Sequence, residues 1–208
     1  MSHRISGRRS DGGREDSRRC ANRPAMAASS IHLEIGQTWD GHALQDVDRV
    51  ELSIGTQEGS LVLQLGAPYY RDPAPAGPPG PTDGLWEHEV VELFIAGSGS
   101  AYLEIELGPH GHHLVLQLSD IRVPSATCLP IEYTAQIDGD RWTGRALIPM
   151  KLLPAGPYCI NATAIHGQDG SRRYSSMCVL PGPRPDFHQP GHFEPCAWLS
   201  SAADHRSR

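Results

Sequence analysis

The sequence lacks the long apolar runs that membrane proteins need. It contains no stretch of about 18 consecutive apolar residues, and no apolar segment follows the N-terminal arginines as a secretory signal requires. Its five cysteines are scattered, and no C-x-x-C pair indicates a zinc or redox site. These absences predict a soluble, cytoplasmic protein with reduced thiols and no membrane partner.

Concentrated positive charge and catalytic signatures are missing as well. The formal net charge is -6 at pH 7, whereas a nucleic-acid-binding surface needs clustered lysine and arginine to neutralise phosphates. The sequence has no P-loop, no G-x-S-x-G nucleophile elbow, no H-E-x-x-H zinc motif and no dinucleotide-binding glycine fingerprint. We therefore expect neither nucleic-acid binding nor enzymatic activity.

Glycine and proline, by contrast, are abundant, with 22 and 18 residues. This composition favours many turns and few long helices. Apolar and polar residues alternate with a period of two in successive segments separated by turn residues, which is typical of a β-sandwich. The predicted strands are residues 31–35, 50–54, 60–65, 90–95, 102–107, 113–118, 133–137, 142–148, 158–165 and 173–179, with one helical turn at 150–153.

The chain is predicted to form one domain with two tails. Residues 1–28 are rich in Arg, Ser, Gly and Asp and have almost no large apolar side chains, so they cannot repay the entropy of ordering. We expect this segment to be disordered, with Met26 as a candidate alternative start. The sandwich is predicted to span residues 29–200, followed by a flexible tail at 201–208. Two long proline-rich loops within it are expected to frame a site.

The hairpin formed by the fifth and sixth predicted strands decides which side chains share a face. Alternation along the first of these strands points Leu103 and Ile105 into the core. A four-residue turn at 108–111 would pair Ile105 with Leu114, so that both strands present leucine and isoleucine to the core in one register.

The opposite face of this hairpin is then expected to carry Glu104, Glu106 and His113. The preceding strand adds Glu92 if it lies beside the hairpin. Three carboxylates and one imidazole on a single sheet face favour a hydrogen-bonding site. An outward-facing sheet surface is normally polar, so a solvated face without a ligand is the alternative.

Several segments resemble known families. The run 85–95, followed by 102–105 and a Pro109-x-Gly111 turn, resembles the core signature of family 9 carbohydrate-binding modules. A second set of segments is similar to an uncharacterised eukaryotic family, numbered 0462 among proteins of unknown function, and this similarity spans nearly everything after Met26. These segments are 38–41, 67–73, 102–118, 164–167 and 185–188.

The resemblance implies an antiparallel, jelly-roll-like β-sandwich related to DOMON domains, in which a sugar is clamped between two aromatic rings. Trp86 matches one clamping tryptophan and Glu92 a hydrogen-bonding glutamate, while Phe187 falls near the second aromatic. Where the sugar-binding modules place an arginine, this chain has Glu104. No cofactor is expected, and structural calcium stays open because the calcium-binding acids of the modules have no match here.

The predicted function is binding of a carbohydrate or a similar polyhydroxylated small molecule. A pyranose stacks its apolar face on an aromatic ring, while its hydroxyls pair with carboxylates. Two alternatives stay open. One is a protein-interaction domain, with no partner identified, that has lost sugar binding. The other is a glycoside-processing enzyme acting through the glutamates, which a flat sheet face disfavours. The predicted site comprises Tyr70, Arg71, Trp86, Glu92, Glu104, Glu106, His113 and Phe187.

Two further groups of residues are candidates. Three histidines with Glu106 nearby have the donor types of a zinc or copper site, although the Pro-x-Gly turn explains the segment without metal. These histidines are His110, His112 and His113. The second group consists of polar and aromatic residues near strand ends, where binding residues often lie. An ion pair between Arg173 and Asp186 is the simpler explanation for the charged residues in it. This group is His166, Arg173, Tyr174, Asp186 and His188.

Overall fold

The computed structural model describes residues 30–204, so the predicted disordered tail 1–28 and Met26 lie outside it. The described chain is mostly β-strand, with short 3-10 turns and a C-terminal helix α1 at Ala197–Asp204. The strands are β1 Ile31–Ile35, β2 Val50–Gln57, β3 Ser60–Pro68, β4 Val90–Ala96, β5 Tyr102–Leu107, β6 His113–Asp120, β7 Val123–Ala126, β8 Glu132–Asp138, β9 Arg141–Pro149, β10 Cys159–His166, β11 Arg173–Ser176 and β12 Glu194–Pro195.

Two antiparallel sheets form the fold. The smaller, five-stranded sheet has the order β1-β2-β3-β9-β8. The larger, seven-stranded sheet has the order β11-β10-β4-β5-β6-β7, with β12 pairing with β10. The predicted all-β antiparallel sandwich is therefore confirmed. Helix α1 includes residues 201–204, which the sequence assigned to the C-terminal tail; it spans eight residues, and no helix of the described range is long and apolar enough to cross a membrane.

The space between the sheets is filled by alternate residues of the strands. Leu63 on β3, Leu93 on β4, Ile105 on β5 and Trp142 on β9 all belong to this core and are almost completely buried. Burying each such side chain contributes roughly 1.5–3 kcal/mol. The period-two pattern of the sequence thus identifies the inner face of most strands.

The β5–β6 hairpin, however, pairs in a different register from the predicted one. The loop comprises residues 108–112, in which the Gly108 N–H donates to His112 O at 2.9 Å and Gly111 adopts a left-handed φ of 83°. Ile105 therefore pairs with Val115 instead of Leu114. A change of one residue in register exchanges the two faces of a strand, so every side chain of β6 points opposite to its predicted direction.

The observed register moves His113 away from the predicted site. Its ring lies between the sheets, edge-on to Tyr133 of β8 with ring centroids 5.9 Å apart. The prediction that it shares a face with the glutamates is wrong, because the longer loop places it on the core side of β6.

The outer face of the larger sheet is covered by loops and is not flat, which corrects a second expectation. Leu114 and Phe94 on this face form an apolar cluster with Leu85, Phe187 and Phe193 from the covering segments. All residues of β4 are consequently buried, on both faces of the strand. The larger sheet therefore has one core beneath it and a second, smaller core above it.

Candidate functional site

A cavity of about 410 Å³ lies between the outer face of the larger sheet and the loops that cover it. We call it the sheet-face cavity. Its lining includes Glu92, Glu104, Trp86, Tyr174, Phe187 and His188. Sites for small molecules typically have about 300–1,000 Å³, so the cavity is large enough for a ligand of modest size.

Three glutamates meet at the floor of this cavity. The β4–β5 register places Glu92 directly opposite Glu106, and Glu104 points to the same side two residues earlier on β5. One carboxylate oxygen from each lies within 4.8 Å of the others. The exposed fractions of Glu92, Glu104 and Glu106 are 2%, 3% and 0%. The alternation of β4 and β5 thus brings three buried acids together.

Burial dominates the electrostatics of this cluster, because desolvation disfavours the charged form of a carboxyl. It raises the pKa of Glu92 to about 7, against the opposing effects of the Thr163 hydroxyl and Arg172. The pKa values of Glu104 and Glu106 are raised well above the usual range, first by burial and then by the charge of Glu92. In the described chain alone, the cluster therefore retains protons at neutral pH.

The three carboxyls are incompletely hydrogen bonded. The Thr163 hydroxyl on the neighbouring strand β10 donates to Glu92 Oε2. Glu104 Oε2 has no hydrogen-bond partner among the described residues, and the oxygens of Glu106 have only a weak contact with the Trp86 backbone N–H, outside ordinary hydrogen-bond geometry. Buried polar atoms in folded proteins are nearly always paired, so these oxygens indicate a place where a ligand completes the structure.

Trp86 forms one wall of the cavity and is 41% exposed. Its backbone is fixed: the Arg172 guanidinium donates to Trp86 O and, at 2.8 Å, to Glu87 O. The same guanidinium lies over the Tyr174 ring, 5.8 Å from its centroid. Arg172 therefore joins the Trp86 segment to β11 and leaves the indole free at the cavity.

Another part of the cavity lining comes from the proline-rich segment after β11. Phe187 is 7% exposed and lies edge-on to Tyr174, with centroids 6.2 Å apart. Asp186 accepts the His188 N–H at 3.0 Å and an Arg122 side-chain N–H at 2.8 Å. These bonds hold the segment against the β6–β7 turn.

His188 is neutral at neutral pH. Burial, and then the charge of Arg122, lowers its pKa to about 4. The Tyr102 hydroxyl oxygen accepts the Arg122 backbone N–H at 3.0 Å, and the same hydroxyl shares a hydrogen bond with His188 Nδ1 at 2.7 Å. The 4.0 Å approach of His188 to Glu104 is consequently not an ion pair at neutral pH.

Two other predicted site residues lie away from the cavity. Tyr70 stacks on His166 with ring centroids 3.5 Å apart, and Arg71 pairs with Asp140 at 2.7 Å. Both follow β3 of the smaller sheet, and the Tyr70 N–H donates to Glu89 at 3.0 Å. This anchoring keeps the segment at a different edge of the sandwich, so the structure does not bring Tyr70 and Arg71 to the other predicted residues.

The histidine-based metal alternative is not formed by the described residues. His112 Nδ1 contacts the Thr82 hydroxyl at 2.9 Å, and His110 contacts Tyr69. Glu106 lies on the opposite face of the larger sheet from His113. Their ligand atoms therefore do not converge on one point.

Some cavity residues were not predicted for the site. Tyr174, Asp186 and His188 were noted only as loop residues, and Asp186 pairs with Arg122 instead of Arg173. Arg122 itself carries no sequence signal, because it lies in the turn before β7, a strand that the alternation does not reveal. An aromatic and acidic loop after the last predicted strand was the only available indication of this wall.

Comparison with known proteins gives consistent relatives, although no protein-family model matches the chain. The UPF0462 protein C4orf33 homolog of Danio rerio is 39% identical, over 77% of this chain and 85% of that protein. The homolog of Mus musculus is 36% identical over 79% and 90%, and the Homo sapiens protein is 35% identical over 76% and 83%.

Two solved structures are similar to the chain at low sequence identity. A candidate carbohydrate-binding protein from Bacteroides uniformis superposes with a TM-score of 0.61 at 14% identity, covering 80% of this chain and 84% of that one. A family 9 carbohydrate binding module from Caldicellulosiruptor kristjanssonii, in complex with cellotriose, gives a TM-score of 0.47 at 11% identity over 70% and 72%. The first of these similarities supports the sandwich fold, and at this identity it shows the fold alone.

Proposed function

The chain belongs to the UPF0462 protein family, and we propose that it binds a carbohydrate, or another small polyhydroxylated molecule, in the sheet-face cavity. The observation that supports this proposal is the position of an exposed indole, Trp86, at the same cavity as the carboxyls of Glu92 and Glu104. A sugar needs both surfaces, because its C–H face is apolar and its rim carries hydroxyls.

The walls and the floor of the cavity suit different parts of a sugar, its apolar face and its hydroxyls. The lining offers aromatic surface for stacking from Trp86, Tyr174 and Phe187. The floor offers carboxyl oxygens, including the unpaired Oε2 of Glu104. Leaving that oxygen unpaired costs roughly 1–3 kcal/mol, so a ligand hydroxyl that reaches it recovers this energy on binding.

The acidic floor also limits the class of ligand. Glu104 stands where the resembling modules have an arginine, and Asp83 and Asp186 add further carboxylates to the lining. Like charges brought together without compensation are unfavourable. We therefore propose that, while no cation occupies the floor, neutral or amino sugars bind and uronic acids and sugar phosphates do not.

We propose binding without catalysis. A retaining or inverting glycosidase separates its two carboxyls by roughly 5–10 Å across the scissile bond. Here one carboxylate oxygen of each of Glu92, Glu104 and Glu106 lies within 4.8 Å of the others, and all three side chains point to the same face of the sheet. A glycosidase instead places its two carboxyls on either side of the scissile bond.

A thermal-shift screen with neutral, amino and acidic monosaccharides and short oligosaccharides tests the proposal. A ligand that binds only the native state raises its melting temperature. Trp86→Ala and Glu92→Gln should abolish the shift, whereas Trp86→Phe should retain part of it. Glu87→Gln, which removes an exposed neighbouring charge, is the matched control and should behave as wild type. If no sugar raises the melting temperature of the wild type at about 10 mM, ten times a dissociation constant of about 1 mM, the carbohydrate proposal fails. Binding of a protein partner is then the remaining hypothesis.

A further inference from the structure

We propose that Glu92, Glu104 and Glu106 together hold one hard divalent cation at the floor of the sheet-face cavity. The proposal concerns a metal site built from side chains on two neighbouring strands, β4 and β5. It deepens the proposed function, on which its role in ligand binding rests, but the site itself is argued from the glutamates alone.

The positions of the oxygens fit a single ion. One oxygen of each glutamate lies within 4.8 Å of the other two. A calcium ion bound at about 2.3–2.6 Å from each ligand allows oxygens up to about 5 Å apart. Three oxygens at the observed spacing can therefore share one ion without movement of the strands.

An independent observation is the isolation of Glu106. Its exposed fraction is 0%, it faces Glu92 across the β4–β5 pair, and its oxygens have only a weak contact with the Trp86 backbone N–H, outside ordinary hydrogen-bond geometry. Buried charges in proteins are normally paired or bound to metals. A cation between the three carboxylates supplies the missing partner.

The ligand chemistry selects the kind of ion. The three ligands are carboxylate oxygens, which suit calcium, magnesium and manganese and are poor ligands for copper(I) or other soft metals. The Thr163 hydroxyl holds Glu92 from the adjacent strand, so one of the three ligands is already oriented. Such outer contacts fix the geometry of metal sites.

A bare ion also fits the depth of the site better than an organic cation. Glu92 and Glu104 line the cavity, whereas Glu106, beside Glu92 on the same sheet face, is fully buried and is not part of the lining. An ammonium group carried on a carbon skeleton that stays in the cavity does not reach Glu106. An ion enters that space alone, and its open positions then face the cavity, where water or ligand hydroxyls complete the coordination.

The test begins with the metal alone. The full chain is stripped with EDTA and titrated with Mn²⁺, whose bound fraction is counted by electron paramagnetic resonance, and with Ca²⁺ by calorimetry. We expect one ion per chain with a dissociation constant below about 1 mM, and at least about a tenfold loss in Glu106→Gln, since affinity follows the number of charged ligands. Glu87→Gln should bind as wild type does. Circular dichroism checks the folding of each variant, and Glu104→Gln replaces Glu106→Gln if the latter does not fold.

The outcomes separate the cation site from the proposed function. If the wild type binds no ion at about 1 mM, or if the folded glutamate variants bind it unchanged, the site is overturned whatever the sugars do. If one ion binds at the glutamates and no sugar binds, the cation site stands and the carbohydrate proposal falls. If a sugar binds equally with Ca²⁺ and with EDTA, the bridging role of the ion is overturned.

Discussion

Glu92 and Glu106 lie directly opposite each other on neighbouring strands of the larger sheet, and both are buried. Like charges in this position destabilise a sheet, and a buried charge without a partner is costlier still. The sandwich tolerates the pair at neutral pH through retained protons or through a bound cation. Both explanations have measurable consequences for stability.

The first prediction concerns pH in the presence of EDTA. The folded pKa of Glu92, about 7, is above its reference value of 4.5. Its stabilising contribution is therefore fully present below pH 4.5 and is lost as the pH rises through about 7. We expect the free energy of unfolding of the wild type, measured by urea denaturation, to fall between pH 5 and pH 8.

Glu106→Gln provides the comparison for this pH dependence. The variant removes one of the repelling carboxyls, so its stability should fall less steeply over the same range. Equal slopes in the wild type and the variant would show that the cluster does not control the pH dependence.

The second prediction concerns the hydroxyl of Tyr102. Tyr102→Phe deletes the group that accepts the Arg122 N–H and shares a hydrogen bond with His188 Nδ1. The variant should lose about 1 kcal/mol of stability, because two partly buried hydrogen bonds are removed. Hydrogen exchange should also accelerate in residues 185–193. Unchanged exchange there would mean that the segment is held by its apolar contacts alone.

The third prediction concerns Arg172, which fixes the backbone of the Trp86 segment. Arg172→Ala should weaken sugar binding and increase quenching of Trp86 fluorescence by acrylamide, since the indole loses its positioned backbone. The Trp86→Phe variant gives the background from the other tryptophans. The overall stability of Arg172→Ala should change by less than about 1 kcal/mol, as expected when an exposed contact is removed. If Arg172→Ala shows the same acrylamide quenching and the same sugar affinity as the wild type, Arg172 has no role in the site.

The fourth prediction concerns a buried amide on the cavity face of the larger sheet, where Asn161 pairs with Phe94. The Asn161 side chain bonds the Ser176 hydroxyl at 3.1 Å and accepts the Cys178 N–H at 3.0 Å. Asn161→Ala should lower the free energy of unfolding by about 1–3 kcal/mol, because the Cys178 N–H is left unpaired. Thr134→Ala, on the exposed side of β8, is the control and should be nearly neutral. A neutral Asn161→Ala would show that other groups satisfy these atoms.

The sequence predicted the parts of the site that depend on strand period. Glu104 and Glu106 share a face because residues two apart on a strand always do, and Glu92 joins them because β4 pairs with β5. His113 was misplaced because its face depends on loop length, which the glycine and proline residues of the turn left undetermined. One extra loop residue moved it to the core.

The covering of the outer face required information that no local pattern contains. Phe187 and Leu85 are separated by about a hundred positions in the sequence, yet both pack above β4 and β5. Period-two analysis treats a strand as having one buried face, and β4 has two. The cavity exists because these distant segments meet over the sheet, so its walls became identifiable only in the structure.

The central claim is that sugars bind at Trp86 above the glutamate floor. The most direct measurement is a two-dimensional NMR titration of the ¹⁵N-labelled full chain with a neutral monosaccharide and an amino monosaccharide, in the presence of Ca²⁺. The account predicts saturable shifts of the Trp86 indole N–H and of the backbone amides of Glu92, Glu104 and Phe187. Shifts confined to another surface, or none at all, would contradict it.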